Sequence, residues 1–342
     1  MERKIYQFDD LPDGIEAGQP EPRSGSGPAR VGVIVNVRSH HNIAREPDYR
    51  GRENVSVAKP RTRREIADAL VSFAREGVEF LVISGGDGTV RDVLTMGQSI
   101  FADGWPQLAV LPRGKTNALN VDLGSPRDWS LAQAIEAFEN PQSSRRVIRR
   151  PLAVTDSNGE EPPMLGFILG AGAFAQGVEA GQDAHSIGLF NSIAVGMTSA
   201  WGVLQALFGS DDNRWRRGTQ MELSYLPSGE PMPHSGHGDR ARRTIMLAST
   251  LETMPLNIAL FGKGQKDIRL VVLDGPRRRM FVAIPAVLAG WHPKWLAKAG
   301  LHHFSAQGFA VTLDTPFILD GEHFPLGSYR VEQGPELTFV AG

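Results

Sequence analysis

Three short segments of the chain gather residue types that handle phosphate and move protons. In the first, Leu81-Val-Ile-Ser-Gly-Gly-Asp-Gly-Thr-Val-Arg-Asp92, an apolar run enters a glycine-rich turn with a carboxylate at its apex. Gly85, Gly86 and Gly88 lack the β-carbon that keeps a ligand off the main chain. The N–H groups from Gly85 to Thr89 can therefore face phosphate oxygens where a helix begins. Asp87 is then set to act through a magnesium ion, a water or a ribose hydroxyl. The second segment, Leu111-Pro-Arg-Gly-Lys-Thr-Asn117, leaves a neighbouring apolar run and faces the same crevice. The third, Leu319-Asp-Gly-Glu322, brackets one glycine with two carboxylates. Each segment taken alone is also ordinary turn chemistry, so the argument rests on the three together.

The elements around these segments alternate. Val31–Asn36 reads as a buried strand ending in a polar loop that holds Asn36, Arg38, His40, His41 and Asn42. Thr62–Glu76 has the spacing of an amphipathic helix, with Ile66, Ala69, Leu70 and Phe73 on one face and Gly77 as its stop. The strand Phe80–Ser84, the glycine turn, a helix over Val90–Met96 and the strand Gln107–Leu111 follow. A further helix is capped by Asp128, with Trp129, Ala132, Ile135 and Phe138 inward. This alternation implies a parallel sheet with binding loops at the carboxyl ends of its strands. Past about residue 150 the pattern changes to strands separated by Pro/Gly turns: Pro151–Thr155, Met164–Leu169, Gln220–Tyr225, Thr244–Ser249, Asp267–Leu273, Phe309–Thr312 and Tyr329–Val340. The expected organisation is a flexible leader over 1–29, a nucleotide-binding α/β unit over 30–150 and a β-rich unit over 151–327. The strand at about 328–342 returns to the first unit.

Composition excludes several classes. A chain of 342 residues, 41% hydrophobic and 22% charged, has the make-up of a globular protein long enough for two cores. A net charge of −2 gives no pull toward nucleic acid, and the absence of cysteine removes disulfides and thiolate metal sites. The first residues lack the apolar centre of a signal peptide, which makes the cytoplasm the expected compartment. Residues 186–210 carry no charge and are greasy enough to raise a membrane span, but their Asn, Ser, Thr, Gln and Gly content favours a buried or cleft-lining helix at about 186–209.

In order and spacing, the three segments resemble the diacylglycerol kinase catalytic family, which includes bacterial lipid kinases, sphingosine kinases and ceramide kinases. The resemblance extends over roughly residues 31–340. NAD kinases and phosphofructokinases also use a Gly-Gly-Asp-Gly turn, but neither ends in Asp-Gly-Glu. The resemblance implies a two-domain fold, ATP and Mg2+ as cofactors, and transfer of the γ-phosphate to a primary hydroxyl of a diacylglycerol-like or ceramide/sphingoid lipid at a membrane surface. It assigns Asp320 and Glu322 to handling the hydroxyl proton, leaving open which is the base, and Asp87 to the magnesium–nucleotide network. Asn36, Gly85, Gly86, Gly88, Thr89, Gly114, Lys115, Thr116 and Asn117 would hold phosphates and nucleoside. Asp267 stands where relatives carry an aspartate of a structural magnesium site, although Ile268 replaces the usual glycine.

The departures matter as much. The second loop usually reads Pro-x-Gly-Thr-x-Asn-Asp; here Lys115 replaces the Thr and Ala118 the Asp. Arg91-Asp92 takes the place of Asn-Glu, and Lys59-Pro60 that of a nucleotide-contacting Thr. These changes leave open a regulator without catalysis, or a kinase of the same fold acting on a soluble polyol. His292, His302 and His303 lack a metal-binding spacing and read as surface or packing residues, and His234 and His237 as solvated members of a loose Pro/Gly loop. The arginine pairs at 145–146, 149–150 and 242–243 and the run Arg277–Arg279 could face anionic lipid headgroups, but scattered runs of this kind read first as solvated surface.

Overall fold

In the computed structural model the described residues are 28–39, 52–102, 104–157, 162–175, 218–255, 258–261, 267–275 and 278–342. The expected leader up to residue 27, the loop residues His40, His41 and Asn42, the 186–209 helix and Arg277 lie outside them.

The first sheet is built on β1 (Val31–Val35), β2 (Val55–Ala58), β3 (Phe80–Gly85) and β4 (Gln107–Pro112), all parallel. Its order is β2-β1-β3-β4-β18-β5, where β5 is Arg145–Arg149 and β18 is Leu337–Ala341, so the last strand inserts beside β4. β18 runs parallel to β4 and antiparallel to β5. The central strands β1, β3 and β4 are almost continuously apolar because both of their faces are covered. Helices α1 (Arg63–Glu76) and α2 (Asp87–Ile100) lie over one face, and α4 (Leu131–Glu139) packs on β18 and β3; the short α3 (Ala118–Leu123) follows β4. The start of α1 is fixed by Thr62, whose hydroxyl accepts the Glu65 N–H at 3.2 Å, and its end by Gly77 in the left-handed region at φ 68°. For α4 the cap is Ser130 rather than Asp128: Ser130 and Gln133 form a reciprocal capping box, which Asp128, two residues further out, is not placed to make. That shift turns Ala132 to solvent and puts Leu131, Ala134 and Ile135 inward.

Beyond β5 the chain forms two antiparallel sheets. One has the order β10-β9-β14-β17-β6-β7, from β6 (Leu152–Asp156), β7 (Met164–Gly166), β9 (Thr219–Leu226), β10 (Arg242–Arg243), β14 (Gly308–Leu313) and β17 (Gly327–Gln333). The other, β13-β12-β11-β8-β15-β16, is made of β8 (Ile168–Gly172), β11 (Ile245–Ser249), β12 (Ile268–Leu273), β13 (Leu301–Ala306), β15 (Phe317–Leu319) and β16 (Glu322–Phe324). The helices α5 (Arg278–Leu288) and α6 (Trp295–Lys298) connect β12 to β13. The architecture is the expected one, a parallel-sheet layer with helices plus a β-rich part.

Two expected strands are each two strands. Met164–Leu169 divides at Phe167, where the chain steps from one antiparallel sheet to the other, and Tyr329–Val340 divides at Gly334, whose N–H donates to Pro151 O at 2.7 Å before the chain crosses to the first sheet. The sheets are tied to α2 at Thr95, which accepts the Leu165 N–H at 3.0 Å, and at Gln98, which donates to Pro163 O at 2.6 Å. They are tied to α3 at Asp122, which is fully buried: Arg149 Nε donates to it at 2.6 Å and the Thr253 N–H at 2.6 Å.

Candidate functional site

The loops that leave β1, β3 and β4 converge at the carboxyl ends of those parallel strands, where ligands of open α/β sheets bind. Gly86 is the N-cap of α2 and offers no side-chain cap. Asn36, just past β1, reaches across to the first turn of α2, its Nδ2 donating to Thr89 Oγ1 at 2.8 Å. Gly85 leaves room for that threonine, because a β-carbon there would lie 2.6 Å from the Thr89 side chain. The two glycine loops touch through their main chains: a β-carbon on Gly86 would stand 2.9 Å from Gly114 Cα, and one on Gly114 2.6 Å from Gly86 Cα. Asn117, in the left-handed region at φ 50°, closes the second loop on itself, its Oδ1 accepting the Gly114 N–H at 2.8 Å and its Nδ2 donating to Gly114 O at 2.8 Å. Lys115 and Thr116 are exposed at the rim.

Asp87 begins α2 and turns its carboxylate to the start of α3, where the Leu119 N–H approaches Oδ1 at 3.5 Å. Burial pushes its carboxyl above the usual range, against the pull of the amides of Leu119, Ala118 and Asn117.

The third segment is a two-residue hairpin between β15 and β16. Asp320 and Gly321 both have positive φ, 46° and 85°, as a tight turn of this hand requires. The turn brings the Asp320 carboxylate back onto the crossing between sheets: the Phe167 N–H donates to Oδ2 at 2.9 Å and the Ile168 N–H to Oδ1 at 2.9 Å. Burial, then the charge of Asp87, raise the Asp320 carboxyl to about 7, although these amides and Arg91 pull it down. The structure thus brings Asp87 and Asp320 within electrostatic reach across the junction of the parallel sheet and the antiparallel ones. Glu322 is on the outer side of the turn, where one oxygen, Oε2, meets Arg63 Nη2 at 2.9 Å and Arg91 Nη2 at 3.0 Å.

Comparison with known proteins bears on the fold. Residues 30–148 match the sequence model of the diacylglycerol kinase catalytic domain. They belong to the diacylglycerol kinase catalytic domain family. Three solved structures from Bacillus anthracis str. Sterne, one described as a diacylglycerol kinase and two given that description provisionally, superpose with TM-scores of 0.57, 0.58 and 0.59. Each is 14% identical in sequence, with 92% of this chain and 97% of the other covered, so this likeness concerns the fold. No curated protein matches the chain in sequence.

Within this kinase-family domain the residue that the three motifs did not single out is Arg91. Its side chain is completely buried; Nη2 donates to Asp92 Oδ1 at 2.8 Å and Nη1 to Leu319 O at 3.2 Å, and the guanidinium lies 5.8 Å from the Phe324 ring centroid. Burial works against its charge, but Asp92 and Glu322 hold the guanidinium above its ordinary range. Arg63 joins from α1, its Nε donating to Asp92 at 3.3 Å. The signal available in the sequence was the departure from Asn-Glu at 91–92.

Asp267 is not brought to these loops. It stands just ahead of β12, where Ser305 Oγ donates to it at 3.4 Å, and the described residues contain no group of three His, Asp or Glu side chains fit to hold a metal ion.

The expectation that His234 is solvated is wrong. His234 is 10% exposed, and the 227–242 loop is pinned to the fully buried Asp274. Asp274 Oδ2 accepts from the Ser235 N–H, Ser235 Oγ and His302 Nε2, each at 2.8 Å, while Arg243 Nη1 donates to Oδ1 at 2.7 Å. The pairs at 149–150 and 242–243 are likewise not plain surface, since Arg149 and Arg243 are held by buried aspartates. His302 and His303 are packing residues as expected: His303, on Leu260 O at 3.1 Å, is lowered to about 4 by burial and by His292.

Proposed function

We propose that the chain is an ATP-dependent lipid kinase that transfers the γ-phosphate to a primary hydroxyl of a diacylglycerol-like or ceramide/sphingoid lipid. The observation that carries this reading is the Asp320 carboxylate at the hairpin turn, held by the Phe167 and Ile168 amides and raised to about 7 by burial and by the charge of Asp87. A general base works best when its proton affinity lies near the operating pH. Glu322, by contrast, gives one oxygen to two guanidiniums, which suits it to hold the turn in place. In the proposed reaction the lipid hydroxyl gives its proton to Asp320 as its oxygen bonds to the γ-phosphorus, and the bond to the bridging oxygen of ADP breaks.

Positioning and charge neutralisation supply most of the rate in such transfers. Asn36, Gly85, Gly86, Gly88, Thr89, Gly114, Thr116 and Asn117 line the nucleotide side, and Lys115 brings a positive charge to the rim in place of the usual Thr hydroxyl. Asp87 would hold magnesium, which is commonly bound by one or two carboxylates plus substrate phosphates, and the ion would neutralise phosphate charge. Asp267 would at most serve a structural ion.

The test is labelled phosphate transfer from ATP and magnesium to diacylglycerol, ceramide, sphingosine and monoacylglycerol in parallel micelles. One phosphorylated lipid is expected, absent in Asp87→Ala. Asp320→Asn should lower kcat by about 10²–10⁴-fold and Glu322→Gln by less. ATP binding without any lipid product would sink the lipid-kinase reading and leave a regulator or a kinase of soluble polyols. Equal activity of Asp320→Asn and the parent would sink Asp320 as the base.

A further inference from the structure

Between Asp274 and Asp314 the sequence contains no acidic residue, yet it holds Arg277, Arg278, Arg279, Lys294 and Lys298. Its first part, residues 278–298, forms α5, α6 and the turn between them, and β13 and β14 follow. One side of the hairpin is core: Met280, Val287, Leu296 and Ala299 pack with Val271, Leu273 and Leu301 on the β12–β13 edge of the sheet that also ends at Asp320. The other side carries Trp291 and Trp295, 50% and 44% exposed, with ring centroids 5.7 Å apart and planes inclined at 65°. Lys294 and Lys298 are exposed beside them.

The turn is preformed. The Trp291 N–H donates to Ala286 O at 2.9 Å, His292 Nε2 meets Val287 O at 3.1 Å, and Gly290 takes φ 96°. Among the described residues the other large hydrophobics found exposed, Val37, Val121, Ile148 and Leu326, are aliphatic. Two indoles and two ammonium groups on a rigid corner, within a stretch free of carboxylates, match one kind of surface. Tryptophan partitions to the headgroup level of a bilayer, and lysine is drawn to anionic lipid there.

We propose that the Trp291–Trp295 corner, with Lys294 and Lys298, is the surface by which the protein docks on an anionic lipid bilayer. The bilayer accounts for both halves of the patch, since a purely electrostatic partner leaves the indoles unused and a purely apolar one leaves the lysines opposed. The substrate reading gives such docking a use, but the docking is measured without turnover.

The experiment is co-sedimentation of the whole chain with vesicles of phosphatidylcholine alone or mixed with phosphatidylglycerol, together with tryptophan emission. Binding is expected on the mixed vesicles, weakened by salt and accompanied by a blue shift. Trp291→Ser with Trp295→Ser should weaken it about tenfold or more and remove most of the blue shift, and Lys294→Glu with Lys298→Glu should weaken it by a similar factor. All four positions are exposed, so the variants should melt as the parent does. Equal binding by parent and variants, or no binding of the parent to mixed vesicles, would overturn the proposal. So would a dimer in solution that the same substitutions dissolve, because the occupant would then be a second copy of the chain. Failure to find kinase activity would leave the vesicle result untouched.

Discussion

Arg91 is the side chain through which the first sheet reaches the carboxylate turn. It holds Leu319 O on one side of Asp320-Gly321 and Glu322 on the other. Its charge also lowers the Asp320 carboxyl, which stands at about 7 despite that pull. With Asp320 as base, kcat/KM should rise with pH as the carboxylate forms, and magnesium held by Asp87 would set that limb below about 7. Arg91→Met removes the pull, so the carboxyl rises further and a smaller fraction is ionised at neutral pH. The acid limb should move to higher pH, with the loss recovered at alkaline pH. A merely structural role would lower the rate at all pH values and leave the limb in place. Asp274 is the converse case. Burial pushes its carboxyl up, but His302 and both donors of Ser235 outweigh that and hold it below its ordinary value. Its stabilisation is therefore full above the unfolded value of about 4 and fades as pH falls through the folded one. Asp274→Asn should cost about 3–5 kcal/mol near neutral pH, by stranding Arg243, and less at acid pH. Denaturant melts at the two pH values measure the difference. Neither role was legible in sequence: Arg91 lies 228 positions from Leu319, and His234, Ser235 and Asp274 meet only when a Pro/Gly loop folds onto β12.

At the scale of elements, the glycine loops are the part that sequence made plainest, and the structure gives their glycines a reason beyond phosphate. Gly86 and Gly114 are in main-chain contact, so neither loop can move without the other. Gly114→Ala would put a β-carbon 2.6 Å from Gly86 Cα and has to spread the loops. The expected result is a rise in the KM for ATP of about tenfold with a stability loss of about 1–3 kcal/mol. Unchanged nucleotide affinity would mean that the contact is incidental. Strands with apolar runs on both faces, β1, β3 and β4, were read within a residue or two for the same local reason. Short strands such as β15 and β16 escaped, being three residues each around a turn. The Met164–Leu169 run hid a change of sheet because both halves are apolar. What divides them is the pair of amides at Phe167 and Ile168 that Asp320 holds, a partner about 150 residues away.

At the scale of the molecule, the segment that matches the catalytic-domain family, residues 30–148, is not a closed structural unit. Its sheet is completed by β18 from the far end of the chain, which pairs with β4 on one side and β5 on the other. Leu337, Phe339, Val340 and Ala341 are all fully buried there. The chain must therefore pass through both antiparallel sheets before the first sheet can close, and the return strand fixes those sheets over α2, where Asp320 feels the charge of Asp87. A fragment of residues 28–150 lacks β18, which leaves β4 as an apolar edge and β5 without its partner, the condition for aggregation rather than folding. It should show no cooperative melt and no ATP binding. Deleting the segment after Gln333 from the full chain should have a similar effect, although it removes none of the motif residues. Cooperative unfolding of the 28–150 fragment with ATP affinity near that of the whole chain would show that the sheet closes without its last strand. The junction would then be a hinge between separable units, and the alignment of Asp320 with the nucleotide loops would depend on Arg63, Arg91, Asp122 and the α2 contacts.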